Sequence, residues 1–324
     1  MHLHQKKIAT NFFTCILLIL CGNAFSIPAA RAQEAPLFTA LKNNNLQELK
    51  TVLEQNINVN VFDDDSDHVL MVAAMYASVD CMDLLIKNGA DVNAVNRTGE
   101  TPLMWCNHDI VKTKLLLQHG ANINAIAKSG NTPLLIACVG YGQYEMIKLL
   151  LDNGANPLAK NNKGETALFR TGLFGDTATA RLLLNRGADI NARTNLKETI
   201  LENAISNENK TMVYWLLNNG ADPNITDSYD ATALFYAVGL NDINLLKAVL
   251  EKTTDINCVD TERLTALMWA CYDEHENPDI VRALVDRGAN VNMQDKKGQT
   301  ALAWALKKGN TSKAAILRNA GSLQ

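Results

Sequence analysis

A period of about 33 residues runs through this chain from Ala35 to its C-terminus, and no other feature limits its fold as severely. With Thr101 as reference, the equivalent residues are Ala35, His68, Thr132, Thr166, Thr199, Thr232, Thr265 and Thr300. Their spacings are 33, 33, 31, 34, 33, 33, 33 and 35 residues. Two residues on, every unit carries leucine, from Leu37 and Leu70 through Leu103 to Leu302. A unit of this length cannot bury its own apolar face, so such units stack into a solenoid.

The residue types assign the parts. Threonine is a good helix N-cap, since its hydroxyl accepts a bond from an orphan backbone N–H. Pro102 and Pro133 follow in the first turn, where a missing N–H costs little. Small residues come next (Ala73, Cys106, Ala137, Ala204, Ala237, Ala270), where a neighbouring backbone must approach. A second helix carries the bulk, as in Leu115-Leu116-Leu117 and Leu149-Leu150-Leu151. It ends at glycine (Gly89, Gly120, Gly154, Gly187, Gly220), which tolerates a left-handed C-cap. Asparagines such as Asn93, Asn124 and Asn191 then bond local backbone in the connection.

ETPLM at Glu100–Met104 and NTPLL at Asn131–Leu135 resemble the helix-opening signature of the ankyrin repeat family. NGADVNA at Asn88–Ala94 and HGANINA at His119–Ala125 resemble its hairpin signature. The resemblance covers about nine units. It implies an all-α solenoid of helix–turn–helix units with protruding β-hairpin loops. Unit boundaries are expected near 35–67, 68–100, 101–131, 132–165, 166–198, 199–231, 232–264, 265–299 and 300–324. For function it implies protein–protein binding without catalysis. Departures are a unit at Thr101 two residues short between its helices, insertions in the units at Thr132 and Thr265, and Thr253 where glycine is expected.

Residues 1–32 read as a secretory signal peptide. Lys6 and Lys7 precede an apolar run, Phe12–Cys21, and Ala30-Arg31-Ala32 is a small-x-small cleavage site, with an alternative cut after Ser26. The apolar run is short for a membrane-spanning helix of about 20 residues. Cleavage would remove Lys6, Lys7 and Arg31 and no acidic residue, leaving 27 Lys and Arg against 34 Asp and Glu, a net charge of −7. That balance argues against nucleic acid as partner. The exported chain, 33–324, is expected to be one continuous domain, monomeric, without a stable membrane anchor, and periplasmic or secreted from a bacterium. Its end units are expected to be more polar outside, the last through Lys307, Lys308, Lys313 and Arg318.

Five cysteines lie beyond residue 32, an odd number at irregular spacings, so no disulfide framework follows. Cys81, Cys106, Cys138 and Cys271 sit at apolar offsets, and Cys258, in a loop, is the most exposed expectation. Asp63, Asp65 and Asp67 superficially resemble a calcium loop but lack its glycine and closing glutamate. No histidine pair has metal-ligand spacing, and no nucleophile or phosphate-binding motif is present. No metal, cofactor or catalytic residue is expected.

The aromatic residues carry the functional expectation. Residues four, seven and eight after the reference position share one face of the first helix. In stacks of the family resembled here, that face lines a concave groove. Trp105, Tyr236, Trp269 and Trp304 stand at the first offset. Tyr76, Phe174 and Tyr272 stand at the other two, with Tyr141 near them. Tryptophan and tyrosine are over-represented in binding hot spots. The partner-binding residues expected are therefore Tyr76, Trp105, Tyr141, Phe174, Tyr236, Trp269 and Tyr272. The leading reading is a non-catalytic binding protein, in one version an inhibitor or immunity protein of an exported enzyme. Two alternatives stand beside it: a redox or enzymatic protein using an exposed cysteine, and a passive scaffold whose aromatics are core.

Overall fold

The computed structural model describes residues 29–140, 142–273 and 277–322, with side chains from residue 35. Among the described residues, eighteen helices pair into nine units. The first three pairs are α1 (Ala29–Lys42) with α2 (Leu46–Leu53), α3 (Val69–Tyr76) with α4 (Val79–Lys87), and α5 (Pro102–Trp105) with α6 (Ile110–Gln118). Then come α7 (Pro133–Ala137) with α8 (Tyr144–Asp152), α9 (Ala167–Phe174) with α10 (Thr177–Asn185), and α11 (Ile200–Ser206) with α12 (Lys210–Asn218). The last are α13 (Ala233–Gly239) with α14 (Ile243–Lys252), α15 (Ala266–Tyr272) with α16 (Pro278–Asp286), and α17 (Ala301–Lys307) with α18 (Thr311–Asn319). Residues 1–28, which hold most of the expected signal peptide, lie outside the described residues. Helix α1 begins at Ala29, so the expected cut after Ala32 falls in its first turn. No described helix is long and apolar enough to cross a membrane.

The reference residue opens the first helix of every unit after the first, whose α1 already runs from Ala29, but not always by the expected cap. Thr132, Thr166, Thr199, Thr265 and Thr300 accept the N–H three residues on. Thr101 and Thr232 make no such bond. There the same N–H, of Met104 or Phe235, turns to the threonine's own carbonyl at 3.0 Å, a tighter first turn that leaves the Thr101 hydroxyl unpartnered and the Thr232 hydroxyl to Cys258 Sγ. His68 caps through its ring, with Nδ1 accepting the Leu70 N–H and Nε2 facing Asn60 Oδ1, each at 3.3 Å. A neutral ring protonated at Nε2 satisfies both, and burial pushes its pKa down to about 4. The small residues at the next offset, Ala73, Ala137, Ala204, Ala237, Ala270 and Ala305, are all buried.

The connections are not hairpins of paired strands. Among the described residues only two isolated bridges occur, Phe62 with His68 and Val259 with Thr265. The tips close on single backbone bonds, such as Asn96 N–H to Glu100 O at 3.1 Å, and side chains reinforce them. At most tips an Asp or Asn five residues before the reference accepts two backbone N–H groups: Asn96 from Thr98 and Glu100, Asp227 from Tyr229 and Ala231, Asp260 from Glu262 and Leu264; Ala127 and Thr194 are the exceptions. Asp63 does the same for Asp65 and Asp67, so the aspartates of that tip organise their own turn.

Two polar ladders join unit to unit. The tips bond backbone to backbone: Lys128 N–H to Thr98 O at 2.8 Å, Asn162 to Ser129 at 3.1 Å, Asn195 to Lys163 at 2.9 Å, Ser228 to Leu196 at 3.0 Å. The approach is close enough that a Cβ on Gly130 would lie 2.5 Å from the Asn162 nitrogen, and Gly130 has φ +79°. The second ladder is asparagine. Asn60, Asn93, Asn124 and Asn224 each donate to a carbonyl and accept an N–H of the next unit. Thr253 ends α14 in extended backbone, and Asn224 bonds the Lys252 carbonyl beside it.

The fully buried apolar residues fall into two clusters, and half-buried Ile123 packs against both. One buried cluster runs from Leu37 to Ala121 and a second from Leu134 to Leu317. The division falls at the short unit, whose first helix, α5, has only four residues. A truncated helix presents fewer side chains to its neighbour, so the array is continuous in its ladders and its core is thinnest here, where Ile123 joins the two clusters.

Candidate functional site

The inner-helix face is built around a contact that periodicity did not suggest. Residues at the fourth offset donate to a carboxylate in the loop just before their own helix. Tyr236 OH donates to Asp227 Oδ2 at 2.6 Å, Trp269 Nε1 to Asp260 Oδ2 at 3.0 Å, and Trp304 Nε1 to Asp295 Oδ2 at 3.1 Å. Where the tip residue is Asn96, the acceptor shifts to the glutamate beside the reference, and Trp105 Nε1 donates to Glu100 Oε2 at 3.1 Å. In the unit with Asn161, Arg170 donates to Glu165 Oε2 at 3.1 Å and to Asn131 Oδ1 at 2.9 Å. Asp227, Asp260 and Asp295 are buried, each with one oxygen on two backbone N–H groups and the other on the aromatic donor. A buried carboxylate is tolerable when its oxygens are so occupied. Burial and the Asp227 bond raise the Tyr236 pKa.

These clamps change what the expected binding residues can offer. Trp105, Tyr236 and Trp269 are half-buried, with their polar edges bound to their own loops. What remains for a partner is ring surface. Tyr76 is 50% exposed and stands beside Met75 at 52%. Phe174 is half-buried beside exposed Leu173. Tyr272 packs edge-on against Trp304 at 5.2 Å, and Lys308 Nζ sits 4.2 Å from the Tyr272 centroid. Tyr141 lies outside the described residues. The fold thus brings Trp269, Tyr272 and Trp304 together around a recess of about 30 Å³ with Leu264 and Met268. Trp105 packs against the other buried cluster.

Two lysines sit where sequence reasoning did not place them. Lys313, expected on the polar outside of the last unit, is 1% exposed. Its ammonium donates to the Ala270 and Asp273 carbonyls at 2.9 and 3.0 Å, the negative end of α15. Lys112 reaches the Ala74 carbonyl at the end of α3 at 2.8 Å. Both stand near the start of a second helix, at a register that is Cys81 in α4 and Leu245 in α14. A cation at that apolar register was the available signal.

Cys81, Cys106, Cys138 and Cys271 are buried, and burial pushes the last three thiols up to about 12. Cys258 is half-buried with Sγ 3.7 Å from the Thr232 hydroxyl, and burial raises its pKa also. Thiolate chemistry needs the opposite shift.

A family model described as ankyrin repeats (3 copies) matches residues 7–96, 70–161, 141–227 and 234–322. An ankyrin repeat protein of Acanthamoeba polyphaga mimivirus is 29% identical over 135 residues, 41% of this chain. The match spans 18% of that relative's length.

Proposed function

Because this chain belongs to the ankyrin repeat family, whose repeats are typical protein–protein interaction modules, we propose that it is a non-catalytic protein that holds another protein. The partner lies on the inner-helix face and the loop tips. One observation carries this reading: Met75, Tyr76 and Leu173 stand exposed along that face, with Phe174 and Tyr272 half-buried on it. Aromatic anchors of this kind contribute most when a partner excludes water around them. The pattern of residues 1–32 supports export, to the periplasm or the cell exterior. An exported chain with a net charge of −7 suits a basic partner, and a restraint on an exported hydrolase is the specific version.

The test is capture from the envelope fraction of the exporting cell. The bait is the full chain beside a variant with Tyr76, Phe174 and Tyr272 changed to alanine and checked for helicity. One protein held by the first and lost from the second is the expected result. A partner held equally by both refutes the inner-helix face. For the specific version, wall hydrolase activity unchanged by excess protein refutes inhibition.

A further inference from the structure

The charge of this chain is banded rather than spread. Four consecutive loop tips carry Arg97, Lys128, Lys160, Lys163, Arg193 and Lys197. Two anions within the same tips turn inward: Glu100 accepts from Trp105, and Glu165 pairs with Arg170. The tips on either side expose carboxylates, Asp64 and Asp65 before and Asp230 after, while Asp227 is buried. A net charge of −7 therefore describes no single surface.

Apolar side chains are interleaved with these cations. Val95, Ile126, Leu158 and Leu196 are 53%, 70%, 54% and 56% exposed, all in the connections of the same units. The backbone beneath them is fixed, since each tip is bonded to the next from Thr98 through Leu196 to Ser228. Lys160 Nζ donates to the Arg193 carbonyl at 2.9 Å, and Arg193 to the Thr226 carbonyl at 2.6 Å, so even some cations are held in place. A rigid, pre-ordered edge loses little freedom on binding.

We propose that this strip, from Arg97 to Lys197, is a docking edge for an acidic segment of a protein partner with apolar side chains interspersed among its carboxylates. The proposal rests on the reading above only in taking the partner to be a protein. Charge complementarity selects the occupant: cations face outward over four tips, and acidic tips bound them at both ends. Nucleic acid fits less well. The strip has no aromatic residue on which a base would stack, and the flanking aspartates repel a long polyanion.

The experiment is fluorescence anisotropy with the full chain and a labelled peptide of about twelve alternating glutamates and leucines, a length set by the reach of an extended chain. An all-glutamate peptide, a single-stranded oligothymidine and phosphatidylglycerol vesicles are the competing probes. The alternating peptide should bind saturably, more tightly than the others, and more weakly as salt rises. Lys128→Glu, Lys163→Glu and Lys197→Glu together should weaken it about tenfold, since each exposed pair contributes modestly. Lys50→Glu, Lys114→Glu and Lys247→Glu, on α2, α6 and α14, make the same change in net charge and should leave it within about twofold. Equal weakening by both sets, tighter binding of oligothymidine or vesicles, or no saturable binding overturns the proposal. In the envelope capture, a partner kept by the Lys128, Lys163 and Lys197 variant refutes this edge while the binding function stands. Peptide binding with no captured partner refutes the function in that cell and leaves the edge.

Discussion

Replacing Leu158 with asparagine should stabilise this protein by about 1–2 kcal/mol. Leu158 stands at the register where Asn93, Asn124 and Asn224 bridge successive units. Asn93 Nδ2 donates to the Gly120 carbonyl at 3.1 Å, and its Oδ1 accepts the Asn122 N–H at 2.7 Å. Leu158 offers neither atom to the next unit, where Gly187 and Asp189 occupy those places. Its backbone is already set, with its N–H on Asn156 Oδ1 at 2.9 Å as that of Asn93 is on Asp91 Oδ1 at 2.8 Å. Two new hydrogen bonds at about 0.5–1.5 kcal/mol each, discounted for exposure and side-chain ordering, give the figure. The assay is urea unfolding with Leu158→Ala as control, because alanine also removes a 54% exposed apolar group but adds no bond. The slope m should be unchanged and the midpoint higher for Leu158→Asn alone. An asparagine variant no more stable than the alanine variant would refute the claim that the ladder carries stability.

Tyr236→Phe removes one hydrogen bond to the buried Asp227 carboxylate and should cost about 1.5–3 kcal/mol in the same unfolding assay. A cost below about 0.5 kcal/mol would mean the loop stands without its clamp. Glu202 is 2% exposed with Oε1 unpartnered, and its pKa is raised to about 8 by burial first, then by the charges of Asp227 and Glu198. The unfolded chain ionises near 4.5, so between there and about 8 folding takes up a proton, and stability falls as pH rises through that window. Glu202→Gln keeps an acceptor for the Thr199 N–H, should flatten this dependence, and should gain on the order of 4 kcal/mol at pH 8; parallel stability–pH curves for the two proteins would contradict it. A thiol titration of folded residues 33–324, without Cys15 and Cys21, should register Cys258 at most, with Cys81, Cys106, Cys138 and Cys271 reacting only on unfolding. Rapid reaction of two or more would revive redox chemistry.

Most of the scaffold was legible because its signals are one-dimensional. Leucine two residues after each reference position and glycine at the end of α4, α6 and α8 mark helix faces and ends whatever surrounds them. The clamps were less legible for a simple reason. Asp227 and Tyr236 are nine residues apart, but a unit boundary drawn at Thr232 assigns them to different repeats. Read across that boundary, Asp227 with Tyr236, Asp260 with Trp269 and Asp295 with Trp304 form one spacing, visible in the sequence. Lys313 was misplaced because lysine is usually exposed, and only the carbonyls at the end of α15 explain its burial. The missing caps at Thr101 and Thr232 depend on a choice between two acceptors for one N–H, which residue type does not decide.

The two kinds of continuity in this array compensate for each other. At the junction between the units at Thr101 and Thr132 the apolar core narrows to half-buried Ile123, yet Asn124 bridges to the Gly154 carbonyl and the Asn156 N–H, and the Asn162 N–H reaches the Ser129 carbonyl. At Leu158 the asparagine ladder is interrupted, and there the core runs unbroken from Leu134 to Leu317. Each weakness of one sort is covered by the other. The basic strip lies over both places, with Arg97 and Lys128 on the loops of the first cluster's units and Lys163 and Lys197 on those of the second. A segment seated along it would contact both sets of units at once. Its binding free energy would add to the coupling between them, since a ligand favours the arrangement in which all its contacts are made. The least cohesive part of the apolar stack is thus the part that an acidic partner would hold together.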